Sequence, residues 1–183
     1  MERFRLKADD AILLVIDLQE KLMPTMDRRE EVYKNTVFLL NVAAQYKLPV
    51  IVTEQYPRGL GTTVPEIAKA LPEGSGLVEK VTFDACGNGL LDTLAATGRK
   101  TVLVCGCETH VCVYQTVRSM LVMGYKVFVA GDAVCSRFPA NYQSGLQLMA
   151  EMGAVVISSE GAAFAVMQVA GTPEVKGSSN LLK

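Results

Sequence analysis

Residues 100–124 read KTVLVCGCETHVCVYQTVRSMLVMG. The first part, KTVLVCG (100–106), is a near-continuous apolar run of strand length, as expected where both faces of a sheet are buried. The second, ETHVCVYQTVRSMLVMG (108–124), reads as a helix that stops at Gly124, because glycine best adopts the left-handed conformation that closes a helix. Upstream, AILLVID (11–17) is a buried strand ending in a carboxylate, and residues 30–46 carry apolar residues at a spacing compatible with a helix. VIVT (50–53) is a short β-branched strand, LVEKVTF (77–83) a weaker one, and LLDTLAATG (90–98) a helix. Downstream come a strand YKVFVAG (125–131), a helix ANYQSGLQLMAEMG (140–153), a strand AVVISS (154–159) and a last helix GAAFAVMQVA (161–170).

Strands alternating with helices predict an α/β fold: a three-layer α/β/α sandwich on a six-stranded, mostly parallel, Rossmann-like sheet. The segment EQYPRGLGTTVPE (54–66), rich in Pro, Gly and Thr, is expected to be a long surface loop entering a short helix. With 183 residues and no composition break, the chain is expected to be one domain over 1–183, with 171–183 a flexible or docking tail.

Lys plus Arg total 18 against 19 Asp plus Glu, a formal charge of -1. No large positive field is present for nucleic acid or an anionic membrane. No apolar stretch reaches the ~20 residues of a membrane span. Five cysteines, Cys86, Cys105, Cys107, Cys112 and Cys135, without an export signal suggest free thiols and a cytoplasmic location.

The loop after the first strand, DLQEKLMP, lacks the glycine fingerprint of a dinucleotide site, and no Walker A or G-x-S-x-G motif occurs. No cofactor is expected. One histidine, His110, cannot build a histidine-rich zinc site, and Cys105 and Cys107, two apart on a strand, read as buried thiols of one face. Ligands of open parallel sheets bind beyond the carboxyl ends of the strands. That singles out Asp17, Lys80 and the segment after Gly106. Cys112 stands where strand turns into helix, and unpaired amides and the helix dipole stabilise a thiolate there. Taken alone it reads first as a small apolar residue on the helix's buried face, and its place beyond the strand's carboxyl end brings the two readings level. His110, two residues away, does not face Cys112 on a helix. Asp17 is a credible proton acceptor and Lys80 a cation for both anions, and a structural ion pair is the competing role for these two. Arg58, Glu108 and Tyr114 are candidate pocket residues. Helix amides and Lys80 predict that Cys112 is the one cysteine with a lowered pKa, with Asp17 opposing by like charge.

Four segments in order, LLVIDLQEKLMP with Asp17, EKVTFDA with Lys80, VLVCGCETHVCVYQTV with Cys112, and FVAGDAVCSR (128–137), resemble the isochorismatase-like cysteine hydrolases over roughly residues 8–170. TEQYPRGLGTTVPE (53–66) looks like their unassigned isochorismatase-domain subgroup. The resemblance implies a triad: Cys112 as nucleophile on an amide-like carbonyl, Asp17 as general base, Lys80 supporting the charges. It further implies an oxyanion hole from the backbone N–H groups of Glu108 and Cys112, and a cis peptide between Cys107 and Glu108.

Two departures bear on the substrate. Nicotinamidase-type members hold a metal through an Asp-x-His-x-x-His pattern where this chain reads EQYPRGLG, so no metal is expected. True isochorismatases lack the cysteine that stands here as Cys112. The reading is a metal-independent hydrolase of a small amide or other C–N bond, working through a thioester. A small-molecule substrate and a homo-oligomer, dimer or tetramer, complete it. A non-catalytic or redox-sensing member and an oligomeric scaffold are the alternatives.

Overall fold

The apolar runs become the strands of one sheet. In the computed structural model, which describes residues 1–169, β1 (Ala11–Ile16), β2 (Val50–Gln55), β3 (Gly76–Lys80), β4 (Thr101–Cys107), β5 (Lys126–Cys135) and β6 (Val155–Ile157) lie in the order β3-β2-β1-β4-β5-β6. Every pairing between these strands is parallel. β1 is wholly buried, and its side chains divide by parity. Ala11, Leu13 and Val15 join a core under α1 (Arg29–Tyr46), α3 (Pro65–Ala68) and α7 (Ser159–Met167). Ile12, Leu14 and Ile16 join the opposite core, under α4 (Leu90–Ala96), α5 (Tyr114–Val122) and α6 (Pro139–Glu151). This is the expected three-layer sandwich.

From β1 the chain runs outward through β2 and β3, then returns to place β4 on the other side of β1. The reversal lies between β1 and β4, and such switch points open a crevice at the strands' carboxyl ends. Gly106 lets the two strand ends approach: its φ is 129°, and a Cβ there would stand 2.1 Å from the Ile16 carbonyl oxygen.

Several boundaries differ from the expected ones. β3 stops at Lys80 rather than residue 83. β5 continues through Gly131 and Asp132 to Cys135, because an irregularity in the ladder with β4 lets Val134 and Cys135 rejoin Gly106 and Cys107. Cys135 is therefore a strand residue, not a loop residue. The strand expected over 154–159 shortens to Val155–Ile157, since Ser158 instead caps α7, its hydroxyl accepting from Gly161 N–H. That helix ends at Met167. The presumed loop 54–66 contains the end of β2, the short helix α2 (Pro57–Leu60) and an antiparallel bridge between Gln19 and Thr63. The expected tail, 171–183, lies outside the described residues.

Candidate active site

Asp17 follows β1 directly, in the left-handed region at φ 53°, and is fully buried. An isolated carboxylate in that position would be strongly disfavoured. Its oxygens are both engaged. Thr53 Oγ1 donates to Oδ1 at 2.6 Å, and Lys80 Nζ donates to Oδ2 at 2.7 Å. Lys80 ends β3 and is itself 2% exposed. Its ammonium also donates to Gln55 Oε1 at 2.7 Å and points to the carbonyls of Thr82 and Phe83, each at 3.3 Å. An ammonium has three protons, so these acceptors occupy all of them.

Gln55 is held in turn. Its Nε2 donates to the Val81 carbonyl at 2.9 Å, its backbone N–H to Gln19 Oε1 at 2.7 Å, and its carbonyl accepts from Gln19 Nε2 at 2.9 Å. The sequence reading missed Thr53, Gln55 and Gln19. A signal existed: Thr53 and Gln55 alternate at the polar end of an apolar strand, which puts both on one face.

The third element is the turn after β4. The expected helix over 108–124 starts instead as a π turn, Thr109–Val113, and becomes α5 only at Tyr114. Val113 N–H donates to the Glu108 carbonyl at 3.2 Å and Tyr114 N–H to that of Thr109, so the five-residue ladder begins just after Cys112. The Cys112 amide stands at the open start of the turn. Single π turns within helices are frequent at functional sites. The Cys107–Glu108 peptide that leads into it is cis. Gly145 of α6 packs against the turn, where a Cβ would meet Thr109 C at 2.9 Å.

Cys112 is 6% exposed, and the charges of Asp17 and Lys80 both act on its thiol. The three residues singled out from sequence are thus brought together. The expected lowered pKa is overturned. Burial pushes the Cys112 thiol up to about 12, Asp17 pushes the same way, and Lys80 pulls against both. Desolvation outweighs the pull of the helix-start amides here. Cys86 and Cys105 are raised to about 12, and Cys107 well upward. All five cysteines are free.

His110 Nδ1 lies 3.0 Å from Ser136 Oγ, which ties the ring to β5's end. Of the candidate pocket residues, Arg58 lines a cavity of about 340 Å³ with Tyr56, Glu79, Lys80 and Asn88. Glu108 is buried and pairs with Arg137 at 3.2 Å. Tyr114 packs into the core under α5. Among the described residues no group of three His, Cys, Asp or Glu side chains is placed to hold a metal.

Comparison with known proteins gives the family of the chain. The isochorismatase domain model matches residues 11–161, spanning all six strands and the three site residues. The chain belongs to the isochorismatase family. The secreted isochorismatase effector Isc1 of Phytophthora sojae is 36% identical over 183 residues, covering 98% of this chain and 87% of that protein. The MAR1 ribonuclease structure from Caenorhabditis elegans superposes with a TM-score of 0.92 at 33% identity, over 97% of this chain and 92% of that one. The YcaC protein of Escherichia coli, an octameric hydrolase of unknown specificity, gives a TM-score of 0.86 at 26% identity, over 91% and 83%. The isochorismatase relatives thus share the whole fold of this chain. No helix among the described residues is long and apolar enough to cross a membrane.

Proposed function

We propose that this isochorismatase-family protein is a metal-independent cysteine hydrolase of a small amide or related C–N bond. One observation carries the reading: a thiol at a helix start, packed against a buried carboxylate–ammonium pair at the switch point of the sheet. At rest the thiol keeps its proton. As substrate arrives, the thiol proton passes to Asp17 while sulfur bonds the carbonyl carbon and the C=O electron pair moves onto oxygen. The backbone N–H groups of Glu108 and Cys112 hold that oxyanion, the kind of donor placement that contributes most to acyl transfer. Collapse expels the amine, which takes the proton from Asp17 and leaves a thioester on Cys112. Water then gives a proton to Asp17 as its oxygen bonds the thioester carbon, and the intermediate breaks its C–S bond to release the acid while the Cys112 sulfur takes the proton back from Asp17. Lys80, with its protons already committed, keeps Asp17 in place and offsets its charge.

The raised thiol argues against a redox sensor, which requires a resting thiolate. Five free thiols suit a reducing compartment, and cytoplasm is the location we propose. The octameric relative supports self-association, and Phe164 on α7, 48% exposed, is a candidate contact. The test is a screen of small amides and ureides for ammonia or amine release, with Cys112→Ala as blank and an RNA arm prompted by the ribonuclease relative. Release by wild type alone, with an acyl adduct on Cys112 by mass spectrometry, is the expected result. RNA cleavage that survives Cys112→Ala would refute the reading.

A further inference from the structure

The segment FVAGDAVCSR (128–137) holds no member of the Asp17–Lys80–Cys112 group. Its middle breaks the ladder with β4. Val129 pairs with Val104 and Val134 with Gly106, so residues 130–133 stand against Cys105 alone. The irregular stretch is pinned by three helices. Tyr142 of α6 donates its hydroxyl to the Gly131 carbonyl at 2.5 Å, and Asn35 Nδ2 of α1 donates to the Asp132 carbonyl at 2.7 Å. Ser159 of α7 gives both its N–H and its hydroxyl to Asp132 Oδ1, each at 2.7 Å. The residues that follow are thereby carried to a fixed place beside the end of β4, where Cys135 pairs with Cys107.

There Ser136 and Arg137 meet the turn that leads into α5. Arg137 donates to Glu108 Oε2 twice, from its backbone N–H at 3.1 Å and from Nε at 3.2 Å. Ser136 Oγ lies 3.0 Å from His110 Nδ1. Two consecutive residues at the exit of β5 therefore hold two alternate residues of the turn, on either side of Thr109. Gly145 of α6 packs on the same turn, where a Cβ would stand 3.0 Å from His110 Cα. Glu108 is buried, while the Arg137 side chain is 52% exposed. A half-exposed ion pair adds little to stability. What these bonds fix is the orientation of the turn, and with it the directions of the Glu108 and Cys112 amides. Donors to a developing oxyanion act only if they are aimed before the reaction, and a misplacement of about 1 Å can cost as much as 10²-fold in rate.

We propose that Ser136 and Arg137 are positioning residues of the oxyanion hole, which hold the turn so that the Glu108 and Cys112 amides converge on one point; this rests on the cysteine-hydrolase reading above. The probe is acetaldehyde carrying ¹³C at its carbonyl, followed by NMR on the full chain. The Cys112 sulfur bonds the carbonyl carbon, the C=O π bond opens, and the thiol proton ends on the oxygen. The resulting thiohemiacetal places that oxygen where the amides point. Iodoacetamide is the counter-probe: sulfur displaces iodide and no oxyanion forms. Wild type should give a saturable adduct that Cys112→Ala lacks. Ser136→Ala and Arg137→Ala should each weaken that adduct at least about tenfold, a fraction of the loss on removing a donor outright. Both should label with iodoacetamide at the wild-type rate, because the Asp17 and Lys80 charges that act on the thiol are untouched. Arg137→Lys keeps a cation for Glu108 and should recover most of the adduct's affinity. Wild-type affinity in both alanine variants overturns the proposal. So does an equal loss of adduct and labelling, which would mark a general disturbance of the site. A wild type that forms no adduct on Cys112 overturns the hydrolase reading itself, and this proposal with it.

Discussion

Asp17 Oδ2 and Lys80 Nζ stand 2.7 Å apart with both side chains wholly shielded from solvent, though 63 residues separate them in the chain. Neither charge is tolerable there without the other, so folding β3 beside β2 and β2 beside β1 completes the pair. The two act on Cys112 with opposite sign, Asp17 raising its pKa and Lys80 lowering it.

The opposite signs separate in mutants. Asp17→Asn removes the negative charge and leaves Lys80 unopposed, so Cys112 should ionise more readily and react faster with iodoacetamide at pH 8, while hydrolysis falls by roughly 10²–10⁴-fold for want of a base. Lys80→Ala should slow labelling and destabilise the fold by about 3–5 kcal/mol, the range for breaking a buried pair. Mass-spectrometric mapping of limited labelling between pH 5 and 9 reads both. Slower labelling in Asp17→Asn would contradict the assignment.

Gln55→Ala deprives the Lys80 ammonium of one acceptor and leaves the Val81 carbonyl without its amide donor. A hydrogen bond to a charged group contributes ~1.5–3 kcal/mol, and denaturant unfolding should fall by that amount. Gln55→Glu places a second carboxylate on the same ammonium and should further suppress Cys112 labelling. A wild-type unfolding midpoint in Gln55→Ala would count against a positioning role.

Gly106→Ala should cost more than about 3 kcal/mol or prevent folding, because its Cβ meets the Ile16 backbone as close as 2.1 Å. Gly124 is the control. Its φ is 83° but nothing lies within 4 Å of a Cβ there, so Gly124→Ala should cost only ~1–2 kcal/mol. Thermal unfolding of both variants decides, and equal losses would show that close approach at Gly106 is not the constraint.

The buried thiols give stability an alkaline edge. Cys105 and Cys112 are raised from 9.0 to about 12. Below the unfolded value both states hold the proton and nothing changes. Between about pH 9 and 12 the unfolded chain loses it first, so stability should decline as pH rises, by up to about 1.4 kcal/mol per unit for each thiol. Urea unfolding under reducing conditions at pH 8, 9.5 and 10.5 measures the decline. A flat profile would sink the claim.

Much of this was legible in the chain because the sheet is buried on both faces. Apolar runs marked the strands, and a charged residue at or near the carboxyl end of a strand, Asp17 or Lys80, stood out against them. Thr53, Gln55 and Gln19 did not: Thr53 closes a short strand, Gln55 and Gln19 sit in polar stretches that read as loop, and all three acquire meaning only when β3 comes alongside β2. β5 was cut short because Gly131 and Asp132 interrupt its apolar pattern, although the ladder with β4 resumes beyond them. The Cys112 thiol was misjudged for a different reason: local sequence reports a helix start, but burial depends on the whole fold.

Two of the acceptors around Lys80 Nζ are backbone carbonyls, those of Thr82 and Phe83. A carbonyl makes no demand on the side chain attached to its own residue. Both side chains are exposed, Phe83 by 54%. The Phe83 side chain can therefore be exchanged while the lysine's surroundings stay the same, whereas Thr82 is held a second time by its hydroxyl, which donates to the Asp84 carbonyl at 2.7 Å. An exposed side chain at position 83 can thus vary without disturbing the buried Asp17–Lys80 pair, because the backbone beneath it does the anchoring.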